Sequence, residues 1–573
     1  MSYLDTYRFW CEDNYFDEKT KAELASIKED EAEIKERFYK ELEFGTGGLR
    51  GIIGAGTNRI NLYTVRKATQ GLANFIKQEH AEAKGVAIAY DCRHMSVEFS
   101  EEAALCLAAN GIKAYRFESL RPTPELSYAV RELGCTAGIV ITASHNPAEY
   151  NGYKVYWEDG AQVTFPKDEQ IINEVNSITD YNTVKTMKKA DAIAAGLYQE
   201  IGKEIDDKYI AELKKLVINP EIVKQVGKQL KIVYTPLHGT GNVLVRRVLD
   251  ELGFENVYVV EEQAVPDGNF STVKSPNPED GNAFKMALEL AKKVDADIIC
   301  ATDPDADRLG VYAKDSKTGE YVSFTGNMSG ILICEYLLSQ KQELGTIAKD
   351  GALIKTIVTT NMADKVAEYY NIKLIEVLTG FKYIGEQIKM FEEQKQGTYE
   401  FGFEESYGCL IGTHARDKDA IVAVMALCEA AAYYSTKGLT LWDQMLCIYE
   451  KYGYFREGLE TMTLKGLDGA AKIKEMMASF RANPPKKLGD YEVLAFRDYE
   501  KDTIQTLATG AITKTGLPKS DVLYFDLTDD AWVCVRPSGT EPKIKFYIGV
   551  KGTSFEDATN KLQSLTKALM ELA

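Results

Sequence analysis

One pattern recurs three times in this chain and restricts its possible folds more than anything else in it. A short apolar run is followed by a stretch of helical periodicity and then by a second short apolar run. The copies lie at 86–90, 97–110 and 113–117; at 231–234, 241–252 and 257–260; and at 352–359, 361–370 and 373–378. Strand, helix and strand with short connections make a βαβ unit, which imposes parallel pairing and a right-handed crossover. Each copy then supplies a third strand that ends in a polar loop. The first is Gly138-Ile-Val-Ile, which stops at Thr142-Ala-Ser-His-Asn-Pro147. The second runs from Ala296 into Asp303-Pro-Asp-Ala-Asp-Arg308, and the third from Thr398 into Glu404-Glu-Ser-Tyr-Gly408. Open α/β sheets bind ligands at the carboxyl ends of their strands, so three such loops point to one shared cleft.

The rest of the chain frames these repeats. Residues 1–43 are rich in Lys and Glu and read as helices. Beyond about 455 the pattern changes to antiparallel-type strands and a C-terminal amphipathic helix, a smaller α+β domain. A chain of 573 residues needs several cores. The expected divisions are 1–220, 221–323, 324–454 and 455–573. A net charge of −18 argues against nucleic acid as a partner, while leaving room for a local basic pocket for a small anion. No basic segment followed by an apolar core opens the chain, and no apolar run approaches the roughly 18 residues of a membrane helix. The ten cysteines are scattered, with no C-x-x-C pair. They read as reduced core residues of a cytoplasmic protein, with neither a membrane nor a nucleic acid as partner. Oligomeric state is not legible.

Three stretches carry chemistry. Asp303, Asp305 and Asp307 alternate, so in an extended chain they face one side, Pro304 can help curl the loop, and three converging carboxylates call for a cation. All-oxygen donors favour Mg²⁺ or Ca²⁺ over zinc. An EF-hand is excluded, because Arg308 and Lys314 stand where its glycine and bidentate glutamate belong. Arg536-Pro-Ser-Gly-Thr540 offers a guanidinium fork, hydroxyls and a glycine, which together suit either phosphate or an ordinary turn. Ser144 lacks the G-x-S-x-G elbow, and His145, the next residue, is poorly placed to turn back as its base. Its loop alone also reads as a solvated turn. A glycine-dense stretch, Phe44-Gly-Thr-Gly-Gly-Leu-Arg-Gly51, misses the dinucleotide fingerprint, but its glycines beside Arg50 suit an anion as well as a turn. A serine, a carboxylate loop and an arginine loop together read as phosphoryl transfer.

Four blocks, Thr142-Ala-Ser-His-Asn-Pro147, Asp303-Pro-Asp-Ala-Asp-Arg308, Gly402-Phe-Glu-Glu-Ser-Tyr-Gly408 and Arg536-Pro-Ser-Gly-Thr540, resemble the α-D-phosphohexomutase family in identity and order. Tyr407-Gly408 after the loop serine resembles the glucose-handling branch. The chain length and the doubled glycine near residue 47 resemble a longer-chain branch that also includes phosphopentomutases. The resemblance implies three similar α/β domains with mixed sheets plus a smaller C-terminal domain around one cleft. It implies Ser144 as the phosphoserine and, with Asp303, Asp305 and Asp307, as a contributor to the Mg²⁺ site. Arg308 would steady the phosphoryl group, while Arg50 and Lys154 match residues linked to proton transfer and His145 fits a supporting role. Lys382, Glu404 and Ser406 match sugar-side residues. Arg536, Ser538, Gly539 and Thr540 match the site for the phosphate not being transferred.

The expected activity is interconversion of glucose 1-phosphate and glucose 6-phosphate through a glucose 1,6-bisphosphate that also serves as activator. Mutases of pentose or mannose phosphates remain alternatives. So do a sugar-bisphosphate synthase or phosphatase and a non-catalytic sugar-phosphate binding protein. No ATP-binding glycine loop is present for an ATP-dependent version.

Overall fold

Each repeat builds a sheet, and in two of them the polar loop is the turn that reverses the chain at the end of a parallel strand. The computed structural model describes residues 2–45, 47–464, 467–538 and 543–572, which fall into two compact units. The first unit comprises 1–329, 381–396 and 406–441; the second comprises 330–380, 397–405 and 442–573.

In the first unit, Val86–Tyr90 lies parallel to Ala114–Phe117 on one side and to Ala137–Ile141 on the other. After the Ser144 loop the chain returns as Tyr150–Trp157, antiparallel to Ala137–Ile141, and Gly48–Ile52 adds antiparallel to that. Tyr198–Ile201 closes the other edge. The second sheet repeats the device. Lys231–Thr235 pairs in parallel with Asn256–Val259 and with Ile298–Thr302, and after the aspartate loop Leu309–Lys314 returns antiparallel. The mixed sheets expected from the family resemblance are therefore present. The central strands are buried along their whole length, as strands covered on both faces must be.

The N-terminal segment forms the expected helices, Tyr3–Glu12, Glu18–Ser26 and Glu31–Phe38. They close over Trp10, Phe16, Phe38, Tyr63 and Tyr181, with Trp10 stacked on Phe16 at 4.3 Å. The glycine-dense stretch is more than a turn, because Arg50 sits in the strand Gly48–Ile52 opposite Gly152. Gly48 has φ +137°, and a Cβ there would stand 1.8 Å from the Tyr153 carbonyl. That crowding is why glycine is needed.

In the second unit, Gly351–Thr356 pairs in parallel with Lys373–Val377 and Thr398–Glu404. Beyond residue 454 the strands form the expected antiparallel sheet, from Tyr454–Thr463 through Lys543–Gly552, Trp532–Pro537 and Leu523–Leu527 to Tyr491–Asp498 and beyond. Leu565 and Leu569 of the helix Phe555–Met570 pack into its core. All ten cysteines are free thiols; seven are buried, as expected, but Cys447 is exposed. Among the described residues no helix is long and apolar enough to cross a membrane.

The helix Thr123–Glu132 carries a fully buried acid, Glu125, in its first turn. Burial, followed by the neighbouring charge of Asp206, pushes its carboxyl well above the usual range, and Arg121 at 3.8 Å offsets this only in part. The native state thus holds a proton that the unfolded chain releases above its ordinary carboxylate pKa. The stability this proton contributes is full below that pKa and is lost as pH rises toward the folded value. Glu125→Gln removes the dependence. Its unfolding midpoint in urea should exceed that of the parent by a margin that grows from pH 4.5 to pH 8, by up to about 1.4 kcal/mol per pH unit. A margin that shrinks with rising pH would show that Glu125 is ionised in the fold.

Candidate active site

Ser144 sits three residues beyond the end of Ala137–Ile141, buried, with φ +51°. A non-glycine residue held in the left-handed region is uncommon and needs support. The support is local. The Ser144 N–H donates to Thr142 Oγ1 at 2.8 Å, and Thr142 Oγ1 donates to Asp91 Oδ2 at 2.6 Å. The buried Arg93 guanidinium donates to the carbonyls of Ser144, Asn146, Pro147 and Tyr150. The loop is therefore a rigid turn and not the solvated one that its composition also allows.

This conformation corrects one expectation from sequence. His145 does turn back, and its Nδ1 lies 3.4 Å from Ser144 Oγ. Burial first, then the charges of Arg308 and Arg50, push its imidazole well below the usual range, which keeps it neutral and weakly basic. Arg50 reaches the same loop, donating to Asn146 Oδ1 at 3.2 Å.

Ser144 Oγ donates to Asp303 Oδ2 at 2.7 Å, so the serine and the carboxylate loop meet. The extended geometry expected from the alternation of the aspartates is not the one the chain adopts. Residues 303–307 are not extended: Ala306 has φ +51°, and the backbone N–H groups of Asp307 and Arg308 fold back onto Asp303 Oδ1 at 3.1 and 3.0 Å. A tight turn converges the three side chains, and an oxygen from each lies within 4.8 Å of the others. Neighbouring elements brace this turn. Thr240 donates to the Pro304 carbonyl through its N–H at 2.9 Å and its hydroxyl at 3.0 Å, and Thr123 Oγ1 donates to Asp305 Oδ2 at 2.8 Å.

Three buried carboxylates this close repel by roughly 3–4 kcal/mol per pair at an effective dielectric of about 20. The fold answers in two ways. Lys154 Nζ stands 2.7 Å from Asp305 Oδ2 and 3.5 Å from Asp307 Oδ2, and Lys418 Nζ stands 3.2 Å from Asp307 Oδ2. Burial alone would lower Lys154, but Asp305 and Asp307 hold it above its ordinary value. Asp305 is held below the usual carboxylate range despite its burial, by Lys154 and by hydrogen bonds from Asp303, Lys154 and Thr123. Asp303 carries the remaining strain: burial and then the charges of Asp305 and Asp307 push it well up. Two ammonium groups thus leave the triad short of positive charge. Asp305 Oδ1 and Asp307 Oδ1 are buried without a hydrogen-bond partner. Orphaned hard oxygens in an all-oxygen set fit a divalent cation, with Ser144 Oγ at its rim.

The other candidate residues divide between the units. In the first, Arg308 pairs with Glu279 and Lys382 lies 3.8 Å from Asp168. Burial pushes the Lys382 ammonium down. Ser406 belongs to the first unit as well, in the loop whose next residue, Tyr407, accepts the Leu309 N–H at 2.9 Å. In the second unit, Glu404 ends the buried strand Thr398–Glu404. Arg536 is the penultimate residue of Trp532–Pro537, opposite Lys545, and the Ser538 N–H donates to the Lys543 carbonyl at 2.7 Å. Gly539 and Thr540 lie outside the described residues.

Sequence reasoning missed Arg93, Thr123 and Lys418. Arg93 follows the end of a buried strand, the very position that singled out Ser144, and that signal was available. Lys418 stands in the charged run Arg416-Asp-Lys-Asp419. Its neighbour Asp417 accepts from Tyr156 at 2.6 Å and from Lys418 Nζ at 3.2 Å, which ties the run to the strand that carries Lys154.

Comparison with known proteins agrees with this geometry. Four family models match in order. They describe phosphoglucomutase/phosphomannomutase α/β/α domain I over residues 41–182, domain II over 207–318, domain III over 325–452 and the C-terminal domain over 489–558. The chain belongs to the phosphoglucomutase/phosphomannomutase family. A phosphoglucomutase of Staphylococcus aureus (strain MSSA476) is 37% identical over 541 residues, covering 94% of this chain and 95% of that protein; the phosphoglucomutase of strain COL gives the same figures. Among solved structures, a putative phosphomannomutase from Thermus thermophilus shares the fold. Its TM-score is 0.68 at 20% identity, over 93% of this chain and 99% of that one. The relatives support phosphoglucomutase activity, so the chain is an isomerase of sugar phosphates, and the family implies a metal cofactor.

The orphaned oxygens give a direct test of the cation site. Asp305→Asn should weaken Mn²⁺ binding, followed by electron paramagnetic resonance, by at least about a hundredfold, since even residues behind metal ligands cost ten- to a hundredfold. Unchanged Mn²⁺ affinity would mean that the triad is only a structural turn.

Proposed function

We propose that the chain interconverts glucose 1-phosphate and glucose 6-phosphate through a phosphorylated Ser144 and a bound glucose 1,6-bisphosphate. The observation that carries this reading is the placement of Ser144 Oγ 2.7 Å from a carboxylate triad that is also faced by Lys154 and Lys418. A hydroxyl at a hydrolytic or acyl-transfer site needs a strong base. A hydroxyl that trades one phosphate ester for another of similar energy needs alignment and neutralised charge.

In the forward half-reaction the bond from phosphorus to Ser144 Oγ breaks as a bond to the free sugar hydroxyl forms. Transfer of that hydroxyl's proton is the role given to Arg50 and Lys154, with His145 in a supporting role. Arg308 steadies the phosphoryl group. Mg²⁺, held by Asp303, Asp305, Asp307 and an oxygen on Ser144, would neutralise charge on the group in transit. The bisphosphate then turns round, and Ser144 accepts the other phosphate, leaving the isomer. Such a turn requires a second grip for the idle phosphate, the role given to Arg536, Ser538, Gly539 and Thr540, and a sugar site tolerant of two orientations, given to Lys382, Glu404 and Ser406. The proposed domains remain 1–220, 221–323, 324–454 and 455–573. Glucose is preferred because the relatives matched along nearly their full length are phosphoglucomutases.

Intact-mass measurement after incubation with glucose 1,6-bisphosphate should show the protein heavier by one phosphoryl group, mapping to the Ser144 peptide. Ser144→Ala should bind glucose 1-phosphate and fail to convert it. Near-normal turnover by that variant would rule out the phosphoserine route. For the idle phosphate, Arg536→Ala should weaken glucose 1-phosphate binding, read by calorimetry, by about 1.5–3 kcal/mol for a lost charge-assisted contact. Unaltered affinity would assign the C-terminal loop no part in binding.

A further inference from the structure

The Ser144 loop is held from below by a group that the reaction itself does not use. Arg93 leaves the carboxyl end of Val86–Tyr90 and spreads its guanidinium under residues 144–150. Nη1 donates to the carbonyls of Pro147 at 2.8 Å and Tyr150 at 3.0 Å, and Nη2 donates to those of Ser144 and Asn146. Four terminal N–H groups thus meet four carbonyls, while the fifth donor, Nε–H, is ion-paired to Asp91 without a hydrogen bond. Asp91 orients this fork from behind. Its Oδ2 lies 3.2 Å from Arg93 Nε, its Oδ1 accepts the Arg93 N–H at 2.9 Å and the Ser96 hydroxyl at 2.8 Å, and its Oδ2 also accepts from Thr142. Thr142 passes the arrangement on to the Ser144 N–H.

A segment from the second sheet's domain completes the clasp. Phe270, buried and at φ +49°, places its ring 4.9 Å from the Arg93 guanidinium. Asn269 Oδ1 meets His94 Nε2 at 2.8 Å, and the Ser275 hydroxyl donates to the His145 carbonyl at 3.1 Å. The aspartate loop belongs to that same sheet. The segment therefore ties the serine loop to the body that carries the carboxylates.

We propose that Arg93, set by Asp91 and Thr142 and capped by Phe270, is a positioning residue for phosphoryl transfer. By drawing four carbonyls downward it forces Ser144 into its left-handed conformation and turns Oγ toward Asp303. Lysine cannot replace it, because one tetrahedral ammonium with three donors cannot span four carbonyls and a carboxylate. The inference rests on the phosphoserine reading above, and its test separates the two.

Wild type, R93A, R93K, T142V and T142S are each treated with glucose 1,6-bisphosphate, and the rate of phosphorylation at Ser144 is followed by mass, alongside kcat and KM. Wild type must acquire the group; if it does not, the phosphoserine reading fails and this inference falls with it. Given that wild type does, R93A and R93K should lose about a hundredfold in kcat and in the phosphorylation rate, the scale of an ångström-size misplacement, with KM for glucose 1-phosphate nearly unchanged. Guanidinium ion should restore part of the R93A rate. T142V should lose rate in the same way, and T142S, which keeps the hydroxyl, should recover most of it. A folded R93A that is phosphorylated and turns over within threefold of wild type, or R93K doing so, would overturn the positioning role. Should R93A not fold, the T142V and T142S pair decides: equal rates in both would overturn the role just as plainly.

Discussion

Negative charge that cannot reach water governs this protein. Asp303, Asp305 and Asp307 are buried almost completely within one turn. At such depth each carboxylate raises the energy of its neighbours by more than any single hydrogen bond returns. Much of the surrounding architecture is a response to that cost. Lys154 comes from the strand that returns after the serine loop, Lys418 from the charged run of the third repeat, and Thr123 from the start of a helix in the first domain. Three separate stretches of chain are committed to one turn. Two of the buried oxygens, Asp305 Oδ1 and Asp307 Oδ1, still accept no hydrogen bond, although Arg308 Nε stands 3.8 Å from the second.

The same backbone device produces both reactive loops of the first unit. A parallel strand, buried on both faces, ends and reverses into an antiparallel neighbour, and the polar residues occupy the reversal. Each reversal here places a residue in the left-handed region, Ser144 in one loop and Ala306 in the other. Left-handed backbone at a non-glycine position is held only by an over-determined environment. The environments differ in a telling way. The aspartate turn is held in part by its own carboxylate, Asp303, accepting the backbone N–H groups of Asp307 and Arg308. A serine has no side-chain charge to spare for its own loop, so Arg93 holds it from outside.

That difference explains what sequence could and could not reveal. The βαβ repeats were legible because apolar runs and helical periodicity are local properties. Their strands matched to within a few residues, with Val86–Tyr90 and Lys231–Thr235 as examples. Ser144 and the aspartates were legible because they sit at strand ends and bear unusual chemistry. The curvature of the aspartate turn was legible only through Pro304, since nothing in an alternating Asp pattern distinguishes an extended strand from a turn that places the same side chains together. The reach of His145 back to Ser144 was hidden for a related reason: it follows from one dihedral angle that tertiary contacts impose. Lys418 escaped notice because a Lys in a charged run of a soluble chain is usually a surface residue, whereas Arg93 carried the same strand-end signal as Ser144 without the chemistry that draws attention to it.

A phosphoryl acceptor must meet two demands that pull against each other. Its oxygen must be close enough to the carboxylates to share their cation, yet an oxygen bearing a phosphate brings further negative charge into the most crowded part of the fold. Flexibility would ease the crowding and lose the alignment. The structure takes the other course and fixes the backbone on both sides, the serine loop through Arg93 and the aspartate turn through Thr240 and Thr123. Charge is then balanced by side chains that are themselves anchored, since Lys418 is paired to Asp417, which Tyr156 holds in turn. With positions fixed and counter-charges tethered, the variable left to change during reaction is the position of the phosphoryl group. Under the proposed phosphoserine mechanism, such rigidity would let one serine serve as donor in one half of a cycle and as acceptor in the other, because both halves need the same oxygen in the same place.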